Sequence, residues 1–375
     1  MKFSVDRDVL ADAVAWTARA VPARPPVPVL AGVLIEASAD GTVTLSSFDY
    51  EVSARGTFPA SVEGEGSVLV SGRLLREIAN ALPHKPVDFA LDGTKVSVTC
   101  GASRFTLATM PVDQYPTLPE MPAQSGTIDG ATLQAAVSQV SSAASRDETL
   151  PILTGVRMEI EGSTISLLAT DRYRLALREL SWKPGSPDIS AVALVRARTL
   201  NDTAKALGAG DVSLALSAGS GVDLLGLEAG GLVTTSLLMD GDYPPVRRLF
   251  PDETPITAVV KTSDLIEATR RVSLVAERNA SVRLAFSEGE VVLDAGQSDD
   301  AQASEALEAV VEGGEITVAF NPGYLLDGLN ALGTDYVRLG FTQETKPVDF
   351  VGLDKPGGTP AAEFRYLLVP IRIAS

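Results

Sequence analysis

The sequence holds one histidine, His84, and one cysteine, Cys100, among 375 residues. A lone histidine excludes metal sites built on several imidazoles, and a Ser-His-Asp triad would have to use this one. His84 lies in "LPHKP", a turn-like stretch after a helical pattern, and reads as an exposed turn residue. A lone cysteine excludes an internal disulfide and suits a reducing compartment. No stretch approaches the roughly 18 apolar residues of a membrane-spanning helix. The opening "MKFSVDRDVL" has no apolar core of a signal peptide, so a cytoplasmic location is expected. Basic residues are outnumbered, with 31 Lys and Arg against 48 Asp and Glu, for a net charge of −17. That total argues against a surface that simply adheres to nucleic acid. Nor do carboxylates converge as two-metal chemistry requires. Asp171, in "ATDRYR", is the one acidic side chain to check, and a metal-dependent nuclease or phosphatase stays a remote alternative. No metal or cofactor is expected.

What is present is internal repetition. "SGRLLREIANAL" (71–82), "RARTLNDTAKAL" (196–207) and "NPGYLLDGLNAL" (321–332) end on leucines spaced 125 residues apart. Fixed-period similarity signals a repeated structural unit. In register, Leu75, Ala79 and Leu82 match Leu200, Ala204 and Leu207, and then Leu325, Leu329 and Leu332. This i, i+4, i+7 stripe predicts one buried face of an amphipathic helix. Ser71 is the expected N-cap of the first copy, and Asn321 followed by Pro322 that of the third. Further helical runs cover 6–20, 129–144 and 262–277, with Leu10, Leu133 and Leu265 matched. Alternating segments such as "VDFALDG" read as strands with one buried face. The chain thus reads as α+β: three domains at 1–121, 122–252 and 253–375, each with two helices and about eight strands in a βαβββ-type order. Pro-rich connectors mark the joints.

Similar domains joined head to tail either close into a ring or continue as a filament. Free sheet edges need covering, and two chains pairing edge to edge would close six domains into a ring lined by twelve helices. A filament or a capped monomer satisfies the same repeat count. Basic residues gather on the helices that would line the hole: Arg73, Arg76, Arg196, Arg198 and Lys205 on the second helix of the first two copies. Arg19, Arg24, Arg146, Arg270, Arg271 and Arg278 lie on or after the first. Acidic residues such as Asp299, Asp300, Glu305, Glu308, Glu312 and Glu315 lie elsewhere. A weakly basic lining in an acidic body would let a polyanion slide. In the third copy the second helix carries Asp327 and no basic residue.

"MKFSVDRDVL", "ARPPVPVLAGVL", "SRFTLATMP", "LLATDRYRLAL", "DGDYPPVRRLFP", "FNPGYLLDGLNAL" and "YLLVPIRI" together resemble the bacterial DNA sliding clamp family, the β subunit of DNA polymerase III, over essentially the whole length. "DETLPILTG" with "ATDRYR" resembles the actinobacterial branch. The resemblance implies the DNA-clamp fold, half of a six-domain ring per chain, and a homodimer encircling duplex DNA without catalysis. It implies partners that carry a short clamp-binding motif with Gln and bulky apolar side chains: the polymerase α subunit, the clamp loader and repair proteins. Their pocket would use Leu153, Thr170, Arg172, Tyr173, Arg174, Leu175, Pro244, Arg248, Leu249 and Pro347, with the terminal Leu367, Leu368, Val369, Pro370, Ile371 and Arg372. The DNA-facing set would be Arg24, Arg73, Arg76, Arg146, Arg196, Arg198 and Lys205. At the dimer seam Phe105 and Leu107 would face Leu274 and Val275, with Arg104 near Glu305. Two departures stand out: Arg172-Tyr173 replaces the Gly-His of many members, and Arg196 stands where proline is usual. A paralogous clamp with altered partner or inhibitor preference is the alternative these departures raise.

Overall fold

The computed structural model describes residues 1–217, 223–276, 281–296 and 301–372. Arg278, Asp299 and Asp300 lie outside the described residues. Among the described residues there are six α-helices: α1 (Arg7–Thr17), α2 (Gly72–Ala81), α3 (Gly130–Ser141), α4 (Ala197–Leu207), α5 (Thr262–Val272) and α6 (Pro322–Leu332). Local chemistry starts them where the sequence predicts. Ser71 Oγ accepts from the Leu74 amide and Asn321 Oδ1 from the Tyr324 amide, each satisfying an orphan first-turn donor. Pro322 opens α6, and Gly333, at φ 66°, ends it in the left-handed conformation. Every residue of the three predicted stripes is buried, as are Leu10, Leu133 and Leu265. Among the described residues no helix is long and apolar enough to cross a membrane.

Among the described residues the strands form two antiparallel sheets, one of 14 strands and one of 12. They belong to two compact units. The first comprises Met1–Ala131, Lys183–Ser186 and Asp202–Leu238, and the second Thr132–Trp182, Pro187–Asn201 and Met239–Ser375. The middle sequence repeat is shared between them because its strands pair in opposite directions. Leu232–Leu237 hydrogen-bonds to Val52–Pro59 in the first sheet, while Arg174–Ser181 hydrogen-bonds to Ala361–Leu368 in the second. In the first unit Phe3 stacks on Phe89 at 4.7 Å within a core that also takes Leu10, Leu45 and Leu75. Val87 and Phe89 are fully buried and Leu91 partly so, the alternation expected of this strand.

In the second unit α6 approaches the sheet so closely that only glycine fits at one point. A Cβ on Gly328 would stand 2.4 Å from Cε1 of Tyr366, whose ring is fully buried and whose hydroxyl donates to the Tyr324 carbonyl at 2.9 Å. Gly328→Ala gains about 1 kcal/mol of helix propensity. Overpacking against a ring fixed at both ends costs more, about 1–3 kcal/mol. A lower midpoint in thermal or urea unfolding is therefore expected, despite the better helix former.

Candidate peptide-binding site

The site is built on a three-residue turn, Asp171 to Tyr173, joining the strands Thr164–Thr170 and Arg174–Ser181. Asp171 Oδ1 accepts from the amides of Tyr173 and Arg174, both at 3.0 Å. Thr170 Oγ1 donates to the Arg174 carbonyl and accepts from the Arg172 amide. This side-chain capping holds Arg172 at φ 79°, a left-handed conformation that costs a non-glycine residue on the order of 1 kcal/mol. Arg174, expected as a pocket contact, lines the adjoining cavity and is at the same time a buried brace. Its Nε donates to Asp171 at 2.9 Å, its Nη1 to Asp327 at 2.6 Å, and its guanidinium lies 4.4 Å from the Tyr324 ring centre. Burial opposes its charge, but Tyr366, Asp327 and Asp171 outweigh that and hold its pKa above the ordinary value. Asp171, the acid singled out for metal chemistry, is occupied in the same brace. Among the described residues no group of three or more His, Cys, Asp or Glu could hold a metal ion.

The family resemblance places an apolar groove beside this turn. Its floor is a buried cluster of Leu153, Leu175 and Leu367, all expected, with Leu168, Leu177, Leu194, Tyr243 and Val246 added. Its rim is apolar and open to solvent: Tyr173 is 54% exposed, Leu249 53%, Ile371 39% and Val369 37%. The Val369 amide donates to the Tyr173 carbonyl, tying the terminal segment to the turn. Leu368, expected in the pocket, points to the opposite face of its strand and is buried outside this cluster. Pro244, Arg248 and Arg372 are exposed, and Pro347 and Pro370 are half-buried. Leu177 was legible as the same-face neighbour of Leu175 two residues on, whereas Tyr243 and Val246 sit in a connector without periodicity. A cavity of about 510 Å³ adjoins the turn, lined by Arg146, Arg172, Tyr173, Asn321, Tyr324 and Asp327 among others. Tyr173 stacks on Tyr324 there with ring centres 6.1 Å apart.

Models of the N-terminal, central and C-terminal domains of the DNA polymerase III beta subunit match residues 1–119, 127–245 and 247–358. The chain belongs to the DNA polymerase III beta subunit family. It is 54% identical over its full length to the beta sliding clamp of Streptomyces coelicolor, which it covers completely. It is 57% identical to that of Micrococcus luteus over 83% of this chain and 100% of that protein. To the beta sliding clamp homolog GriR of Streptomyces muensis it is 46% identical over 99% of both chains. Among solved structures, the DNA polymerase sliding clamp of Bacillus subtilis superposes with a TM-score of 0.91 at 28% identity, covering both chains fully.

Other residues suggested by the family resemblance fall as follows. Arg24, Arg73, Arg76, Arg146, Arg198 and Lys205 are exposed, and Arg196 is half-buried with Nη1 3.6 Å from Glu148. His84 is exposed, with Nδ1 3.0 Å from Asp8. Leu274 is 84% exposed on the 3₁₀ turn Ser273–Val275, and Val275 is half-buried. Leu107, expected at the seam, is 3% exposed inside the first unit's core, with Phe105 partly buried against that core. The two share one face of a strand, so Leu107 supports Phe105 from beneath and offers no surface of its own. Glu305 is gripped by Arg271 through two hydrogen bonds of 2.9 and 2.6 Å.

The repeat places an equivalent turn in the first unit. Asp49 Oδ1 accepts from the Glu51 and Val52 amides, and Tyr50 at φ 76° occupies the position of Arg172. The floor is not repeated. Where Leu175 pairs with Leu367, the first unit pairs Ser53 with Thr235, both buried, with their hydroxyl oxygens 2.6 Å apart. Arg55 stands where Leu177 would be. An apolar side chain placed there would meet satisfied polar atoms, so the equivalent place is no apolar receptor.

Proposed function

We propose that the chain is a non-catalytic processivity subunit, in which two copies close head to tail into a ring around duplex DNA and the groove tethers the replicative polymerase. Two half-paired strands carry this reading. Ser103–Met110 pairs with Lys95–Cys100 through residues 103–108, but on its other side only Thr109 and Met110 are paired. Ala303–Glu312 pairs with Glu290–Ala295 through 303–308, and on its other side only through 309–312. Each strand thus leaves residues 103–108 or 303–308 with open backbone donors and acceptors, which in a stable protein call for a covering partner. Arg104 and Phe105 on one open edge suit Glu305, Glu308 and the nearby Leu274 and Val275 on the other. The three domains, 1–121, 122–252 and 253–375, become six in the closed ring. The exposed basic residues of the helices would then contact phosphates without sequence preference.

The groove, with its closed floor and exposed rim, suits a peptide that inserts bulky apolar anchors. The α subunit of the polymerase, the clamp loader and repair proteins with such a motif are the expected partners, in the cytoplasm at the nucleoid. The paralogous reading has less support, since identity to the clamp of Streptomyces coelicolor exceeds that to GriR. Light scattering at low micromolar concentration is expected to give twice the 39.2 kDa chain mass. Protein loaded on circular DNA should stay bound, and leave when the circle is cut. A monomer, or retention on linear DNA, would reject the ring.

A further inference from the structure

A separate cavity of about 410 Å³ lies in the second unit, with apolar walls from Pro251, Val351 and Pro360 and two arginines, Arg338 and Arg365. The arginines differ. Arg365 is engaged: Nε donates to Asp349 Oδ1 at 3.3 Å, Nη2 donates to Asp349 Oδ2 at 2.8 Å and to the Pro251 carbonyl at 3.3 Å, and the guanidinium lies 4.6 Å from the Phe250 ring centre. Asp349, 3% exposed, is neutralised by that pair. Arg338 has no such match. Its Nε is buried without a hydrogen-bond partner, and no ion pair reaches its side chain among the described residues. A guanidinium whose planar fork is unused, in a largely apolar wall, is chemically matched to a carboxylate.

Position indicates where that carboxylate comes from. Phe250, the ring beneath Arg365, also packs against the groove floor, and Leu249 is part of the groove's rim. From Leu249 to Pro251 the backbone covers about 7 Å even when extended. A peptide seated in the groove therefore needs only a few further residues to reach the cavity. We infer that this cavity receives the carboxylate of an acidic residue flanking the apolar anchors of a groove-bound peptide, with Arg338 as its partner. The inference rests on the groove reading above. Asp252, exposed on the same cavity wall, opposes a second negative charge, so the site suits one carboxylate and not a polyanion.

The test uses two synthetic peptides with the same Gln, Leu and Phe anchors, one flanked on both sides by Glu and the other by Gln. Their affinities are read by fluorescence anisotropy on the full chain. The wild type is expected to prefer the acidic peptide about fivefold, although the chain's net charge of −17 works against it. Arg338→Gln is expected to abolish the preference and leave the neutral peptide's affinity unchanged, which also reports that the variant is folded. Asp252→Asn is expected to widen it. Equal affinity of the wild type for both peptides, or a preference that survives Arg338→Gln, overturns the cavity assignment and leaves the groove standing. Failure of both peptides to bind removes the groove reading and the inference with it.

Discussion

Leu274→Asp is expected to convert the proposed two-chain assembly into monomers at low micromolar concentration. Leu274 is 84% exposed in the isolated chain, more than any other large apolar residue described, and it neighbours the half-buried Val275. Covering a leucine contributes about 1.5–3 kcal/mol. In a two-chain ring the same seam occurs twice, so the loss counts twice, and the carboxylate adds a desolvation penalty to each. A weakening of at least about a hundredfold in dimer affinity follows. The chain itself should be unaffected, because an exposed side chain contributes little to folding. Light scattering should fall to the single-chain mass of 39.2 kDa with an unchanged melting midpoint. A variant that stays dimeric would place the seam elsewhere.

Leu249→Asp is expected to remove most of the groove's affinity for an apolar-anchored peptide, weakening it about 10- to 100-fold. Leu249 is 53% exposed on the rim while Val246, one helical turn earlier, lies on the floor. A peptide anchor laid across both loses its apolar cover and meets a charge that has no partner once buried. Substituting a floor residue such as Leu177 would confuse the two effects, since Leu→Ala in a packed cluster destabilises folding by about 2–5 kcal/mol. Anisotropy of a labelled peptide, with thermal unfolding alongside, separates binding from folding. Undiminished binding would move the anchors away from this rim.

The helices were the most legible part of the fold. Their stripes, caps and equal spacing are local signals, and local signals fix α2 and α6 down to the capping side chain. Grouping into two compact units was not legible, because it follows from which strands pair across long sequence separations. Val52–Pro59 finding Leu232–Leu237 leaves no periodic mark in either segment. In the groove, leucines at alternating strand positions could be read, whereas Leu368, named from the family resemblance, lies on the other face of its strand. The bracing role of Arg174, named from the family resemblance as a pocket residue, was not legible in the sequence. Only the tertiary placement of Asp327 and Tyr324 makes it a brace. Arg338 left no sequence signal at all: what distinguishes it is the partner it lacks.

The buried hydroxyl pair of Ser53 and Thr235 has a consequence for traffic on the assembly. Fold repetition supplies a second place of the same shape, and two hydroxyl groups close it to apolar cargo. The proposed two-chain ring would then carry two addresses, one per subunit. Polymerase, loader and repair proteins would have to queue for them, so occupancy is decided by relative concentration and residence time. In the proposed assembly, exchange at the moving replication point would become a contest for a scarce berth, and any change in the affinity of one client would alter the dwell of all the others.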